Sequence, residues 1–262
     1  MDIAIVALVA LLASLLTFVS GFGLGTVLMP AMALFMPVEA AVALTAVVHL
    51  LARLLKVALV GREADREVLL RFGTGALLGA LIGGWTLTYL GAGSPGGNPI
   101  AYMLAGHRFT TTPVALGVGV VMLVFAIIEL TPGFARWKPA PRWQPLGGLA
   151  SGFLGGLSGH QGAVRSAFLS GMDDRLDAVS FAATGAVIAC TVDLARLAVY
   201  GSEWQAWSAG RMPLLAAGAA AALAGTWLGS RWIRKVTLPF VRRMVAAGLV
   251  LLGLGLIAGW VR

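Results

Sequence analysis

From Ser151 to Arg165 the chain reads SGFLGGLSGHQGAVR, an apolar run cut by five glycines, a histidine, a glutamine and an arginine. Each interior Gly costs a helix about 0.5–1 kcal/mol relative to Ala, and Ser competes for backbone hydrogen bonds, so one continuous helix would not choose this composition. It reads as a helix broken inside a membrane. Ser20, Gly21, Phe22, Gly23, Leu24, Gly25 and Thr26 interrupt an earlier apolar run in the same way, and Pro30 follows. Two interrupted hydrophobic segments at matching places in two halves of a chain point to a transporter's binding site.

Composition supports a lipid surrounding. Hydrophobic residues make up 59% of the chain and charged residues 11%, against about 25% charged in soluble proteins. At about 20 apolar residues per crossing, the length suffices for roughly eight spans with short connections, so residues 1–262 read as a single integral membrane domain. The net charge of +8 sits in loops between the apolar runs, which is the pattern of topology signals in a bilayer and argues against nucleic acid as a partner. The lone Cys190 allows no internal disulfide. The N-terminal MDIAIVALVALLASLLTF lacks the basic start and small-residue cleavage site of a signal peptide, and is read as mature chain. With no nucleotide motif or metal-ligand cluster, no cofactor is expected, and the energy for transport would come from an ion or proton gradient.

Apolar segments are expected at about 3–35, 40–60, 72–90, 113–130, 146–170, 178–200, 213–228 and up to Trp260, with a loop over 91–112 and a proline-rich midpoint over 131–145. Repeat 1 is then about 1–130 and repeat 2 about 146–262. Leu51–Ala52–Arg53–Leu54 matches Leu194–Ala195–Arg196–Leu197; Gly61 and Glu63 match Gly201 and Glu203; Gly83 and Trp85 match Gly225 and Trp227. The shared order predicts a duplication. Basic connections near 62–71, 136–142 and 231–243 should all be cytoplasmic. Three apolar segments separate the last two, an odd number, unless the broken fifth segment turns back to its own side. The expected fold is therefore all-α: a polytopic membrane protein of two inverted-topology repeats, each a broken re-entrant helical hairpin followed by three transmembrane helices.

The motif GFGLGTVLMP, its second copy and some 260 residues in eight segments resemble the TauE/SafE family of sulfite and organosulfonate exporters. The first copy fits the family's glycine pattern at Gly21, Gly23, Gly25 and Pro30. In the second, Ala167 stands where the first has Pro30, and His160, Gln161 and Arg165 have entered. The resemblance implies a secondary transporter of sulfite, an organosulfonate or a related carboxylate, in the bacterial inner membrane.

Candidate site residues follow from the breaks. Helix N-termini left by a break attract anions, and Arg165 stands just past the second one, where the alternative is a side chain that snorkels to the membrane edge. The candidate anion site is Arg165 with Ser158, Gly159, His160, Gln161 and Gly162, joined by Ser20, Gly21, Gly23, Gly25 and Thr26 of the first break. Thr45, His49, Arg53 and Lys56 share one helix face; of these, His49 and Arg53 are candidates for the same site, and packing is the alternative. Asp193 precedes Arg196 by three residues and is read as its structural partner. Gly156–Leu157–Ser158–Gly159 also spells the GxSG of intramembrane serine proteases, which need a His base from another helix. An accessory membrane subunit is a third reading, though a passive scaffold has no use for two breaks.

Overall fold

The computed structural model describes residues 2–20, 24–91, 97–104, 106–131, 137–172, 175–232 and 238–260. In chain order these form α1 (Asp2–Ser20), α2 (Leu24–Ala33), α3 (Val38–Val60), α4 (Arg66–Leu90), β1 (Ile100–Leu104), β2 (His107–Thr111) and α5 (Pro113–Leu130). There follow α6 (Gln144–Ser158), α7 (Gly162–Ser170), α8 (Ala178–Tyr200), the short α9 (Trp204–Ser208), α10 (Met212–Trp232) and α11 (Leu238–Ile257).

Local chemistry sets the helix starts. The Asp65 side chain accepts from Val68 N–H to cap α4, Thr112 accepts from Ala115 N–H before a first-turn Pro in α5, and Asp177 accepts from Ser180 N–H to cap α8. Among the described residues, α3 with its short extension to Glu63, α4, α8 and α10 are long and apolar enough to cross a membrane. The exposed apolar residues of α4, Leu77, Leu78, Leu81, Ile82 and Trp85, are those such a helix turns to lipid.

Both broken segments fold back. Gln144 Nε2, at the start of α6, donates to the carbonyl of Phe168 near the end of α7 at 2.9 Å, so the two helices form an antiparallel hairpin. In the first half, Val6 of α1 and Met32 of α2 both lie beside Gly218 of α10, which brings the outer ends of α1 and α2 together. The first break is shorter than expected. Gly25 and Thr26 are already inside α2, because the free N–H groups of a helix start tolerate small residues within the first turn. Gly21 and Gly23 lie outside the described residues.

Each hairpin leans on the opposite half. α6 packs along α4 and α1 along α10, while α3 meets α8 and α5 meets α11. The α4–α6 seam is backbone against backbone: a Cβ on Gly75, Gly79 or Gly83 would overlap the carbonyls of Pro145, Leu149 and Phe153. Reciprocally, a Cβ on Gly148, Gly152 or Gly156 would overlap those of Phe72, Ala76 and Ala80. Such small-residue seams let membrane helices approach closely. Gly225 of α10 faces the carbonyl of Leu11 on α1, just as Gly83 faces that of Phe153 on α6.

One expectation is corrected. The connection over 91–112 contains an antiparallel hairpin, with Tyr102 paired to Phe109 and a turn through Gly106 at φ 80°, so the fold is helical with one β-hairpin added. Tyr102 and Phe109 stack with centroids 5.6 Å apart. The hairpin is tied to the chain's end: Tyr102 Oη donates to the carbonyl of Ile257 at 2.5 Å, and Thr111 Oγ1 to that of Leu256 at 2.7 Å.

At the other end of the bundle, Arg175 joins the α7–α8 connection to the start of α4, with Nε 2.7 Å from Asp65 Oδ2 and Nη1 2.5 Å from Glu67 Oε2. Partial burial works to raise the Asp65 carboxyl, but the Arg175 hydrogen bond and the Val68 N–H outweigh it and hold Asp65 below its ordinary value. The same bond raises the Arg175 guanidinium.

Candidate functional site

The start of α2 meets the α6–α7 break in the interior of the bundle. A Cβ on Gly25, in the first turn of α2, would lie 3.1 Å from the carbonyl oxygen of Gly159. Gly159 itself has φ 80°, the left-handed conformation that closes α6 and that a side chain would strain.

Around this contact runs a buried polar network drawn from both halves. Arg196 of α8 sends Nε and Nη2 to Asp193 Oδ1 at 3.0 and 2.7 Å, and Nη1 to the carbonyl of Gly155 at 3.0 Å. The other Asp193 oxygen lies 2.5 Å from Nδ1 of His49 on α3. Nε2 of His49 accepts from Arg53 Nε at 3.3 Å. Tyr200 Oη donates to the carbonyl of Gly156. All five side chains, His49, Arg53, Asp193, Arg196 and Tyr200, are less than 5% exposed. A buried charge costs several kcal/mol unless paired and hydrogen-bonded, and Asp193 supplies that pairing for Arg196 and a fixed acceptor for His49. Arg53 and Arg196, one from each half of the chain, thus hold the two ends of one His49–Asp193 pair.

Beside this network lies a small pocket of about 10 Å³, lined by Arg53, Arg165, Ser166, Leu169, Phe181, Ala182 and Gly185. Arg165 is 2% exposed. Its Nη1 donates back to Gln161 Oε1 at 3.2 Å, and its Nε passes over Gly185, 3.5 Å from where a Cβ would stand. Lys56, one turn beyond Arg53, is buried as well. The pocket has room for about one water.

Arg165 is therefore an interior residue in the first turn of α7, with no path to a snorkelling position at 2% exposure. Thr45, His49, Arg53 and Lys56 do share a buried face, and Thr45 Oγ1 points at the sulfur of Met32. His160 and Gln161 occupy the break. His160 Nδ1 donates to the carbonyl of Ser158 at 2.9 Å, its ring lies against Phe125, and its Nε2 has no partner among the described residues. The carbonyl of Gln161 accepts from Ser151 Oγ at 3.0 Å. Gly162 is the first residue of α7, and Thr26 is buried in α2. Ser20 is the last residue of α1.

Ser158 is turned away from catalysis. Its Oγ donates to the carbonyl of Leu154 at 2.9 Å, and the nearby His160 Nδ1, at 3.2 Å, is committed as a donor to the Ser158 carbonyl. A nitrogen that carries its proton for that bond is no base for the hydroxyl. Sequence reasoning gave Asp193 only to Arg196, and left Ser166 out of the site. Ser166 Oγ is buried beside the pocket with no partner among the described residues, a donor adjacent to Arg165 in sequence.

The family model described as Sulfite exporter TauE/SafE matches residues 6–256. The chain belongs to that family. As a TauE/SafE protein it is a membrane transport protein for sulfur-containing anions, and the charged network and pocket lie inside its helical bundle. No match was found among curated proteins or among solved structures.

Proposed function

We propose that this TauE/SafE chain is a secondary transporter that binds a small oxoanion, sulfite, an organosulfonate or a related carboxylate, between Arg53 and Arg165 and moves it by alternating access. The observation that carries the reading is that these two arginines from opposite halves are buried and line one pocket, in the interior where the start of α2 meets the α6–α7 break. Arginine at membrane depth is costly, about 2.5–3.5 kcal/mol or more on insertion scales, and is retained where it meets a partner or substrate. Its planar fork grips two oxygens of a sulfonate or carboxylate at once. Ser166 Oγ adds a donor beside Arg165 at the same pocket.

The architecture we infer is an inverted repeat in which α1–α2 and α6–α7 are re-entrant hairpins. Several pairings support it. Gly61 ends α3 and Gly201 ends α8, yet the α3–α4 connection lies by the start of α8, where Asp65 N–H donates to Thr184 Oγ1 at 2.9 Å. Equivalent points of the two repeats are thus at opposite ends of the bundle. The hairpin-to-partner contacts, α1 on α10 and α6 on α4, exchange under the same relation. With the basic end taken as cytoplasmic, the chain sits in the inner membrane with both termini outside.

The test is anion flux into proteoliposomes containing the purified protein. Wild type is expected to accumulate labelled sulfite or an alkanesulfonate, Arg165→Lys to retain weak transport, and Arg165→Ala to lose binding and transport. Transport by Arg165→Ala at the wild-type rate would refute the site.

A further inference from the structure

Behind the anion pocket, His49 is held by two hydrogen bonds of opposite sense. A carboxylate only accepts and a guanidinium only donates, so the 2.5 Å contact of Nδ1 with Asp193 Oδ2 and the 3.3 Å contact of Nε2 with Arg53 Nε fix the ring as neutral, with its proton on Nδ1. Nε2 can keep Arg53 or take a proton; it has one lone pair and cannot do both. Arg53 also lines the pocket with Arg165.

We propose that His49 Nε2 is the coupling site of an anion–proton cotransport cycle: an anion that draws Arg53 toward the pocket frees Nε2 to take up one proton, and the two ligands travel together. This rests on the anion reading above. The step is a simple protonation. A bond forms between Nε2 and a proton delivered from water, the Arg53 Nε–His49 Nε2 hydrogen bond breaks, and nothing is oxidised or reduced. The proton's charge offsets that of a monoanion, so the loaded centre carries the same net charge as the unloaded one.

The surroundings bear on both states of the ring. From α8, Asp193 favours the imidazolium through the Nδ1 contact, and Arg196 opposes it while engaged with Asp193 Oδ1 and the Gly155 carbonyl. From α3 itself, Arg53 and, one turn on, Lys56 oppose it; from α7, Arg165 stands across the pocket from Arg53. Among the described residues, α2, α5 and α9 turn no charged side chain to this place, and Arg231 of α10 is exposed and stacked on Trp227. Cations thus outnumber Asp193 around His49, and a bound anion is what tips the ring toward its charged form. By linkage the proton then strengthens the anion's binding by the same factor.

The test is titration calorimetry of the purified full-length protein with ethanesulfonate, which carries no titrating proton, and with sulfite, whose own titration is subtracted. Paired buffers of different ionisation heat, over about pH 5.5 to 8, count the protons taken up. Wild type is expected to take up as much as one proton per anion, its affinity falling by up to about tenfold per pH unit in that range. His49→Gln can keep both hydrogen bonds without titrating, and should bind anion with no proton uptake and little pH dependence. Should His49→Gln fail to fold, ¹⁵N shifts of His49, His107 and His160 in the intact protein are expected to report protonation at His49 when anion is added. The proposal is overturned by wild-type binding without proton uptake, by uptake that survives in His49→Gln, or by uptake lost in His160→Gln and kept in His49→Gln. Failure of both anions to bind wild type would instead overturn the anion reading, and cotransport with it.

Discussion

The α4–α6 seam makes a quantitative prediction with a built-in control. A methyl at Gly79 meets the Leu149 carbonyl and the Phe153 backbone nitrogen, and a methyl at Gly152 meets the Ala76 carbonyl; neither obstacle is a side chain that can rotate away. The helices must separate along their length, forfeiting close contact at the other glycines of the seam. Overpacking of this kind costs about 1–3 kcal/mol, and with rigid backbone on both sides the upper end is expected. Gly73, on the same helix, has nothing within 4 Å of its would-be Cβ, so Gly73→Ala should be neutral or stabilising by about 0.5–1 kcal/mol through helix propensity alone. Because a single separation relieves both clashes, Gly79→Ala and Gly152→Ala together should cost less than the sum of the two. Unfolding of the purified variants in one detergent, followed by circular dichroism against added denaturing surfactant, reads the order directly. Gly79→Ala as stable as Gly73→Ala, or strict additivity in the double variant, would refute the backbone-contact argument.

Removing the shared acceptor, Asp193→Ala, leaves Arg196 and His49 buried without it and should cost about 3–5 kcal/mol in the same unfolding assay. Ser158→Ala should keep most anion flux in liposomes and release no peptide from a membrane substrate, whereas hydrolysis lost on that change would restore the protease reading. Asp65 has a depressed folded-state value, so the stability it adds is complete above the unfolded value near 3.8 and fades as pH falls through the folded one. The advantage of wild type over Asp65→Asn, which keeps the helix cap, should therefore be constant above about pH 5 and vanish in stronger acid. Reporter fusions at residues 65 and 140 should read cytoplasmic and one at the C-terminus periplasmic; a cytoplasmic C-terminus would refute the re-entrant hairpins.

Much of this was legible because lipid makes local rules strict. The second break announces itself at Gly159, a position that needs a left-handed backbone, and the polar stripe from Thr45 to Lys56 is readable because charge at helical spacing has to face inward in an apolar helix. The His49–Asp193 pair was not, since 144 residues separate its members and no local pattern joins them. Only the fold of one repeat against the other makes that contact. The β-hairpin was missed for a different reason. Ile100, Tyr102 and Leu104 do alternate, but Gly- and Pro-rich neighbours mask a strand of five residues, and it is stabilised by distant carbonyls at the end of α11. Ser166 escaped notice because an isolated serine in a short apolar helix carries no periodic signal.

The hairpin matters beyond its own fold. Two halves of equal sequence, inserted upside down, would make the inward-open and outward-open conformations degenerate, each the other's image with the halves exchanged. Among the described residues, strands occur only in the first half, and Tyr102 of β1 and Thr111 of β2 donate to the carbonyls of Ile257 and Leu256. In the proposed alternating-access cycle, opening the face that holds these contacts would strain or break two hydrogen bonds that have no counterpart among the described residues of the other half. At about 0.5–1.5 kcal/mol each, they would lift the degeneracy by roughly 1–3 kcal/mol, or about 5–150-fold in resting population. In the proposed alternating-access cycle, this appendage would bias which side of the membrane the idle transporter faces.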